Sequence, residues 1–278
     1  MSMEISFKDK VVVITGAGGV ICGELALAFA KAGAKVALLD LNKEAAQVFV
    51  DQIEADGGIA KAYEANVLDK EVLEKVRAAV TEDLGVTDIL INGAGGNNPR
   101  AQTDNEFHEV DLPADTKSFF DLDEKGIEFV FNLNYLGTLL PTQVFAKDMI
   151  GRPGANVINI SSMNAFTPLT KIPAYSGAKA AVSNLTQWLA VHFSHVGLRC
   201  NAIAPGFLVT NQNRNLLFNG EEPTARAHKI LTNTPMGRFG DAEELVGGTF
   251  FLASEEMASF VNGVVLPIDG GFSAYSGV

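Results

Sequence analysis

The sequence predicts an α/β protein built on a single doubly wound parallel sheet of about seven strands, with helices on both faces. Short apolar runs alternate with longer segments along the whole chain. Several runs are β-branched and apolar at every position, as strands covered on both faces require. The segments between them carry the spacing of helices that pack one face on a sheet, and repeated strand–helix–strand order implies right-handed crossovers. No linker, repeat or low-complexity tract interrupts residues 1–278, so one domain is expected.

Val11–Thr15 is the first strand, and it runs into Thr15-Gly16-Ala17-Gly18-Gly19-Val20-Ile21-Cys22-Gly23 before a helix begins. Glycines there let the backbone turn tightly and approach a pyrophosphate, whose charge rests on the helix N-terminus. The second strand, Lys35–Asp40, closes a βαβ unit of the length such units need. Asp40 at its end can accept hydrogen bonds from both ribose hydroxyls of an adenosine and would repel a 2′-phosphate, while Leu41 and Asn42 bring no cation. NAD rather than NADP is therefore expected, held by Gly16, Gly18, Gly19, Val20, Ile21, Asp40 and Leu41.

Ala45, Phe49 and Ile53 share the face of the next helix. Asn66 and Val67, after the strand Ala60–Ala65, can meet the adenine edge. Leu73, Val76 and Val80 mark the third helix, and Asp88–Asn92 the fourth strand. Asn92-Gly93-Ala94-Gly95 then offers close backbone approach at the carboxyl edge, where open α/β sheets bind ligands. From about Asn97 to Lys125 the chain is polar, carries Pro99 and Pro113 and has no period; it reads as a substrate-side insertion or a solvated excursion. Asn134 falls at the start of a long helix and can hold a water that relays protons. Asn156–Ser161 is the fifth strand, ending beside Ser162.

Tyr175-Ser176-Gly177-Ala178-Lys179 is the most informative stretch. Residues four apart share a helix face, so phenol and ammonium point into the same space. A tyrosine pKa of about 10 is too high for a base at neutral pH. A nearby ammonium lowers it, so Tyr175 can take a hydroxyl proton as hydride leaves, or return it. Ser162 can hydrogen-bond the reacting oxygen. Leu198–Ile203 and Val264–Ile268 complete the strands, and Asp241 with Glu244 forms a capping box for a late helix.

Apolar residues make up 47% and charged residues 19%, enough for a sizeable core. A net charge of −12 disfavours nucleic acid or an anionic membrane as partner. The polar N-terminus, the lack of a long apolar stretch and only two cysteines, Cys22 and Cys200, suggest a cytoplasmic protein with free thiols. His108, His192, His195 and His228 lack metal-ligand spacing, so no metal is expected.

In the order Thr15-Gly16, Asp40, Asp88, Asn92-Gly93-Ala94-Gly95, Asn134, Ser162, Tyr175-x-x-x-Lys179, Pro205-Gly206, Thr210 and Asp269-Gly270-Gly271, the whole chain resembles the short-chain dehydrogenase/reductase family. That resemblance implies a Rossmann-type sheet and a catalytic tetrad of Asn134, Ser162, Tyr175 and Lys179. Tyr175 and Lys179 would also hold the cofactor, Lys179 through the nicotinamide ribose. Pro205, Gly206, Phe207 and Thr210 would lie beside the nicotinamide, and the chain would form a homotetramer or homodimer. The chain departs from the family pattern where Val20 and Cys22 replace glycines, Gly93 replaces an asparagine and Asn66 an aspartate.

More narrowly, Gly95-Gly96-Asn97-Asn98-Pro99, Ser161-Ser162-Met163-Asn164, Thr210-Asn211-Gln212-Asn213-Arg214 and the tail from Gly271 resemble the short-chain group of D-mannonate oxidoreductases, also called fructuronate reductases. Polar residues border the nicotinamide side, which suits a small sugar-acid substrate: Asn97, Asn98, Arg100, Asn164, Lys171, Asn211 and Arg214, with Arg100 and Arg214 as candidates for its carboxylate. Other readings are a gluconate 5-dehydrogenase-like enzyme, a carrier-linked ketoacyl reductase, or a non-catalytic dinucleotide-binding protein.

Overall fold

The computed structural model describes residues 5–209, 214–220 and 222–277. Thr210 and Asn211, both expected in the site, lie outside the described residues. In chain order the strands are β1 (Val11–Thr15), β2 (Lys35–Asp40), β3 (Ile59–Glu64), β4 (Ile89–Asn92), β5 (Asn156–Ile160), β6 (Arg199–Pro205), β7 (Phe218–Asn219), β8 (Glu222–Pro223) and β9 (Val265–Ile268). Seven form one parallel sheet in the order β3-β2-β1-β4-β5-β6-β9. The order reverses between β1 and β4, the switch point at which such sheets open a crevice. Register sets Thr15 opposite Asn92, and Asn92 opposite Asn159, so the ligand-facing ends of β1, β4 and β5 stand side by side. β7 and β8 form a separate antiparallel pair, which the sequence reading did not anticipate although Asn219-Gly220 is a hairpin signal.

The helices are α1 (Val20–Lys31), α2 (Lys43–Ala55), α3 (Lys70–Asp83), α4 (Glu124–Phe131), α5 (Gly137–Met149), α6 (Pro173–His192), α7 (Arg214–Leu217), α8 (Ala225–Thr232), α9 (Glu244–Ala253) and α10 (Glu255–Ala258). Alternation along the strands divides the core in two. Val12, Ile14, Val36 and Leu38 pack with α1, α2 and α9. Val11, Val13, Leu39 and Leu90 pack with α3, α5 and α6. The sheet also buries polar groups that satisfy one another. Asn92 Nδ2 donates to Thr142 Oγ1 and Asn159 Oδ1 at 2.9 Å, and Asn159 Nδ2 donates to Thr186 Oγ1 at 2.9 Å.

Three local expectations are corrected. Asn134 does not begin a helix; it sits in a π turn, Asn132–Leu136, between α4 and α5. Such turns recur at functional sites because the extra residue displaces backbone groups from the regular ladder. Glu244 is the first residue of α9 rather than its third; its carboxylate accepts the Asp241 N–H at 2.9 Å and is also gripped by Arg238. The insertion is not a plain loop. Short 3₁₀ turns, Pro99–Ala101 and Phe119–Asp121, punctuate it, and Lys117 Nζ donates to the carbonyls of Pro99 and Arg100 at 2.8 Å. Among the described residues no helix is long and apolar enough to cross a membrane.

Candidate active site

The turn after β1 is shaped by close approach. Gly16 has φ +67, and a Cβ there would stand 2.8 Å from the Ala94 backbone. Thr15 Oγ1 accepts the N–H groups of Gly93 and Ala94 at 3.1 and 3.3 Å, locking the two ligand-facing turns together. α1 begins without a side-chain cap or an acidic residue in its first turn, whereas Asn42 and Asp69 cap α2 and α3. No side chain of α1 itself compensates its partial positive charge. Asp40 closes the far side: Oδ2 accepts the Gly18 N–H and Oδ1 the Asn42 N–H, both at 2.9 Å. Leu41 is exposed, as is Asn66, whose Oδ1 accepts from Leu68 N, while Val67 is buried against Gly137. Glycine cradle, anion-compatible helix start and carboxylate together suit a dinucleotide's pyrophosphate and ribose. Asn92, expected at the cofactor, donates its carboxamide nitrogen to Thr142 on α5 and Asn159 on β5, while its Oδ1 has no partner among the described residues.

The departures from the family's glycine pattern are coupled. A Cβ at Gly93 would lie 2.0 Å from Cys22 Sγ and 2.9 Å from the Thr15 carbonyl oxygen. Cys22 therefore occupies space that a side chain at position 93 would need. Burial pushes its thiol up to about 12, against the pull of nearby Lys179, so it stays protonated.

Lys179 and Tyr175 share one face of α6, as the spacing predicts. Lys179 is 4% exposed, and its Nζ donates to the Ile160 carbonyl at 2.9 Å and stands 5.7 Å from the Tyr175 ring centroid. Burial pulls the ammonium down from 10.5 to about 8. The phenol shifts the opposite way from the sequence expectation: burial raises Tyr175, and a hydrogen bond with Ser162 works against that rise. Desolvation of the phenolate outweighs any help from a lysine whose proton is already directed at a carbonyl. Ser162 is buried at the end of β5, and its Oγ accepts the Asn164 N–H at 3.3 Å. Asn134 is fully buried; Nδ2 donates to the Gly96 and Val130 carbonyls at 2.7 and 2.8 Å, and Oδ1 accepts Gly96 N–H at 3.2 Å. A Cβ at Gly95 would meet Asn134 Oδ1 at 2.7 Å and Lys179 Nζ at 3.1 Å, so the bare glycine lets those two groups share one corner. Gly206 likewise sits where a Cβ would strike Asp269 Cα at 2.5 Å, which fixes the Pro205–Phe207 turn against the end of β9. Asn164 is buried, and its Oδ1 has no partner among the described residues.

A cavity of about 610 Å³ is walled by segments that follow β4, β5, β6 and β9; Tyr175, Lys179, Ser162 and Asn134 are not among its lining residues. Of the residues expected to touch substrate or nicotinamide, Lys171 and Phe207 line it. Arg100 does not: it is exposed and paired with Asp123 at 2.8 Å. Arg214 is exposed, with its guanidinium 5.5 Å from the Phe218 ring centroid. Asn97 and Asn98 turn their oxygens onto the N–H groups of Asn98 and Arg100. Sequence reading missed Glu106, Arg226 and Lys229, all of which face the cavity. Their helix and loop are remote in sequence, and no local pattern links them.

The short chain dehydrogenase family model matches residues 10–219. A Haemophilus influenzae crystal structure, provisionally assigned as a D-mannonate oxidoreductase with bound NAD, is 68% identical, with TM-score 0.95 and 98% of each chain covered. An uncharacterised oxidoreductase of Bacillus subtilis is 48% identical over 97% of this chain and 96% of its own. A gluconate 5-dehydrogenase from Burkholderia cenocepacia, solved with NADP and tartrate, is 28% identical with TM-score 0.83, covering 98% of each chain. The chain belongs to the short-chain dehydrogenase family.

Proposed function

We propose that this oxidoreductase uses NAD(H) to interconvert D-mannonate and D-fructuronate. The observation that carries the chemistry is the buried Lys179 ammonium, which stands 5.7 Å from the Tyr175 ring centroid on one face of α6 and shares a corner at Gly95 with Asn134. When bound, the nicotinamide supplies the hydride acceptor in one direction and the donor in the other. Tyr175 moves the matching proton between its phenol and the substrate oxygen. Burial keeps the phenol protonated at neutral pH, which suits donation to a carbonyl oxygen in the reductive direction. Ser162, whose Oγ accepts the Asn164 N–H just after β5, brings the hydroxyl that would donate to the same oxygen. Lys179 holds a charge beside the ring, and Asn134 keeps the Gly95–Gly96 turn in register with it.

Preference for NAD follows from Asp40, whose carboxylate sits where a 2′-phosphate would meet a negative charge. The sugar-acid assignment draws on the Haemophilus likeness and on the three cations, Lys171, Arg226 and Lys229, set in the wall of an otherwise largely apolar cavity. A cytoplasmic homo-oligomer is part of the same reading; Trp188 and Val191, 57% and 75% exposed on α6, offer apolar surface for a second copy. The test is NADH oxidation with D-fructuronate, D-tagaturonate and 5-keto-D-gluconate side by side. D-fructuronate is expected to show the highest kcat/KM; a higher value for either of the others overturns the substrate assignment.

A further inference from the structure

The chain carries 33 acidic residues, and its arginines mostly find them. Arg77 pairs with Asp148, Arg100 with Asp123, Arg152 with Asp88 and Arg238 with Glu244. Arg226, in the first turn of α8, faces the cavity and pairs with no carboxylate among the described residues. Lys171 faces the same space, equally without an acidic partner among the described residues. Its backbone is held at φ +71, a conformation that costs a non-glycine residue free energy and persists where the surroundings impose it. The Thr103 N–H, donated to the Lys171 carbonyl at 2.9 Å, is part of that hold. Lys229 is also in the wall, but it is spent on Glu106, an ion pair that ties the insertion to α8 across the cavity. The charges of Lys171 and Arg226 reach far enough to help hold the Glu106 carboxyl below its usual range, behind the direct bond from Lys229. Three cations thus face a single carboxylate, a locally positive cavity in a chain of net charge −12.

We propose that Arg226 and Lys171 bind the carboxylate of the substrate, and that this pair makes the enzyme select sugar acids over neutral sugars. The inference deepens the reading above and rests on it. A guanidinium offers a planar fork to a carboxylate, and the ammonium adds a second charge-assisted bond. The Glu106–Lys229 bridge fixes the spacing of the two walls and leaves the other two cations for an incoming acid. Lys171 lies four residues before Tyr175 on the chain, in the segment that leads into α6.

The experiment is steady-state reduction of D-fructuronate and of D-fructose, the same skeleton without the acid, by wild type, R226Q, R226K, K171N and R100A. Asn is chosen at position 171 because it tolerates the left-handed backbone. Thermal midpoints and NADH titrations report folding and cofactor binding separately. R226Q and K171N are each expected to raise KM for fructuronate by about 10- to 100-fold, the range for losing a charge-assisted hydrogen bond. Their preference for the acid over fructose is expected to fall in step, R226K to recover part of the loss, and R100A to stay within about twofold of wild type, as a surface pair does. If KM for fructuronate is unchanged in both R226Q and K171N, the acid site is elsewhere, while wild-type turnover keeps the parent reading intact. If wild type instead reduces a different keto acid and R226Q still raises its KM, the acid site stands and the D-mannonate assignment falls. A wild type that prefers fructose overturns both.

Discussion

Folding takes the ammonium of Lys179 out of water, and its displacement from 10.5 to about 8 sets the order of magnitude of that cost. At about 1.4 kcal/mol per pKa unit, the charged form is disfavoured in the fold by about 3 kcal/mol. Replacing Lys179 with methionine removes the charge while keeping most of the stem. It also removes the bond to the Ile160 carbonyl, whose loss costs about 1 kcal/mol, more if the oxygen stays dry. The variant is therefore expected to be about 1–2 kcal/mol more stable than wild type at pH 7, a rise in Tm of about 2–6 °C for a chain of this size. The pH dependence has a definite sign. Below pH 8 Lys179 is charged in both folded and unfolded chains, and the cost is present in full. Between pH 8 and 10.5 the folded protein sheds the proton first, so wild type gains on the variant and the advantage disappears. The assay is thermal unfolding of the unliganded protein at fixed concentration from pH 6.5 to 10, with turnover of the variant expected to be lost. A variant less stable than wild type at pH 7, or an advantage that does not shrink above pH 8, refutes the claim that buried Lys179 charge is held at the expense of stability.

Two further predictions concern the cofactor side. Gly93→Ala places a Cβ against Cys22 Sγ and the Thr15 carbonyl, and is expected to cost about 1–3 kcal/mol, the usual range for overpacking. Adding Cys22→Gly is expected to recover only part of that, because the Thr15 contact remains; additive costs in a denaturant double-mutant cycle would show that the two positions are not coupled. Asp40→Ser is expected to weaken NADH and improve NADPH, read as a fall in the ratio of their kcat/KM values; an unchanged ratio removes Asp40 from cofactor selection.

Much of the frame was legible because it is governed by local pattern. All strands of the large sheet but β9 are runs whose alternate residues enter two different cores, and the expected ends differ from the observed ones by at most two residues. Leu73, Val76 and Val80 are the buried face of α3 as the helical spacing requires. Tyr175 and Lys179 were legible for the same reason. What escaped depends on contacts between distant segments. Nothing local marks the π turn at Asn134, since no residue type or spacing in Asn132–Leu136 is particular to such a turn. Arg100 looked free for a substrate until the fold brought Asp123 beside it, and nothing local singled out Arg226, whose place in a cavity wall depends on the insertion, the segment before α6 and α8 coming together. Cys22 and Gly93 each stood out as a departure, and only the distance between them shows that one explains the other.

The central claim is that the Tyr175 phenol carries the proton while other groups hold the cofactor. Its most direct measurement is Tyr175→Phe, assayed for NADH oxidation with D-fructuronate alongside a fluorescence titration with NADH. The expected result is turnover reduced by at least a thousandfold, within the roughly 10²–10⁴ range of general acid–base catalysis, with NADH affinity within about threefold of wild type, since only the hydroxyl is lost. Turnover within about tenfold of wild type would mean that another group supplies the proton.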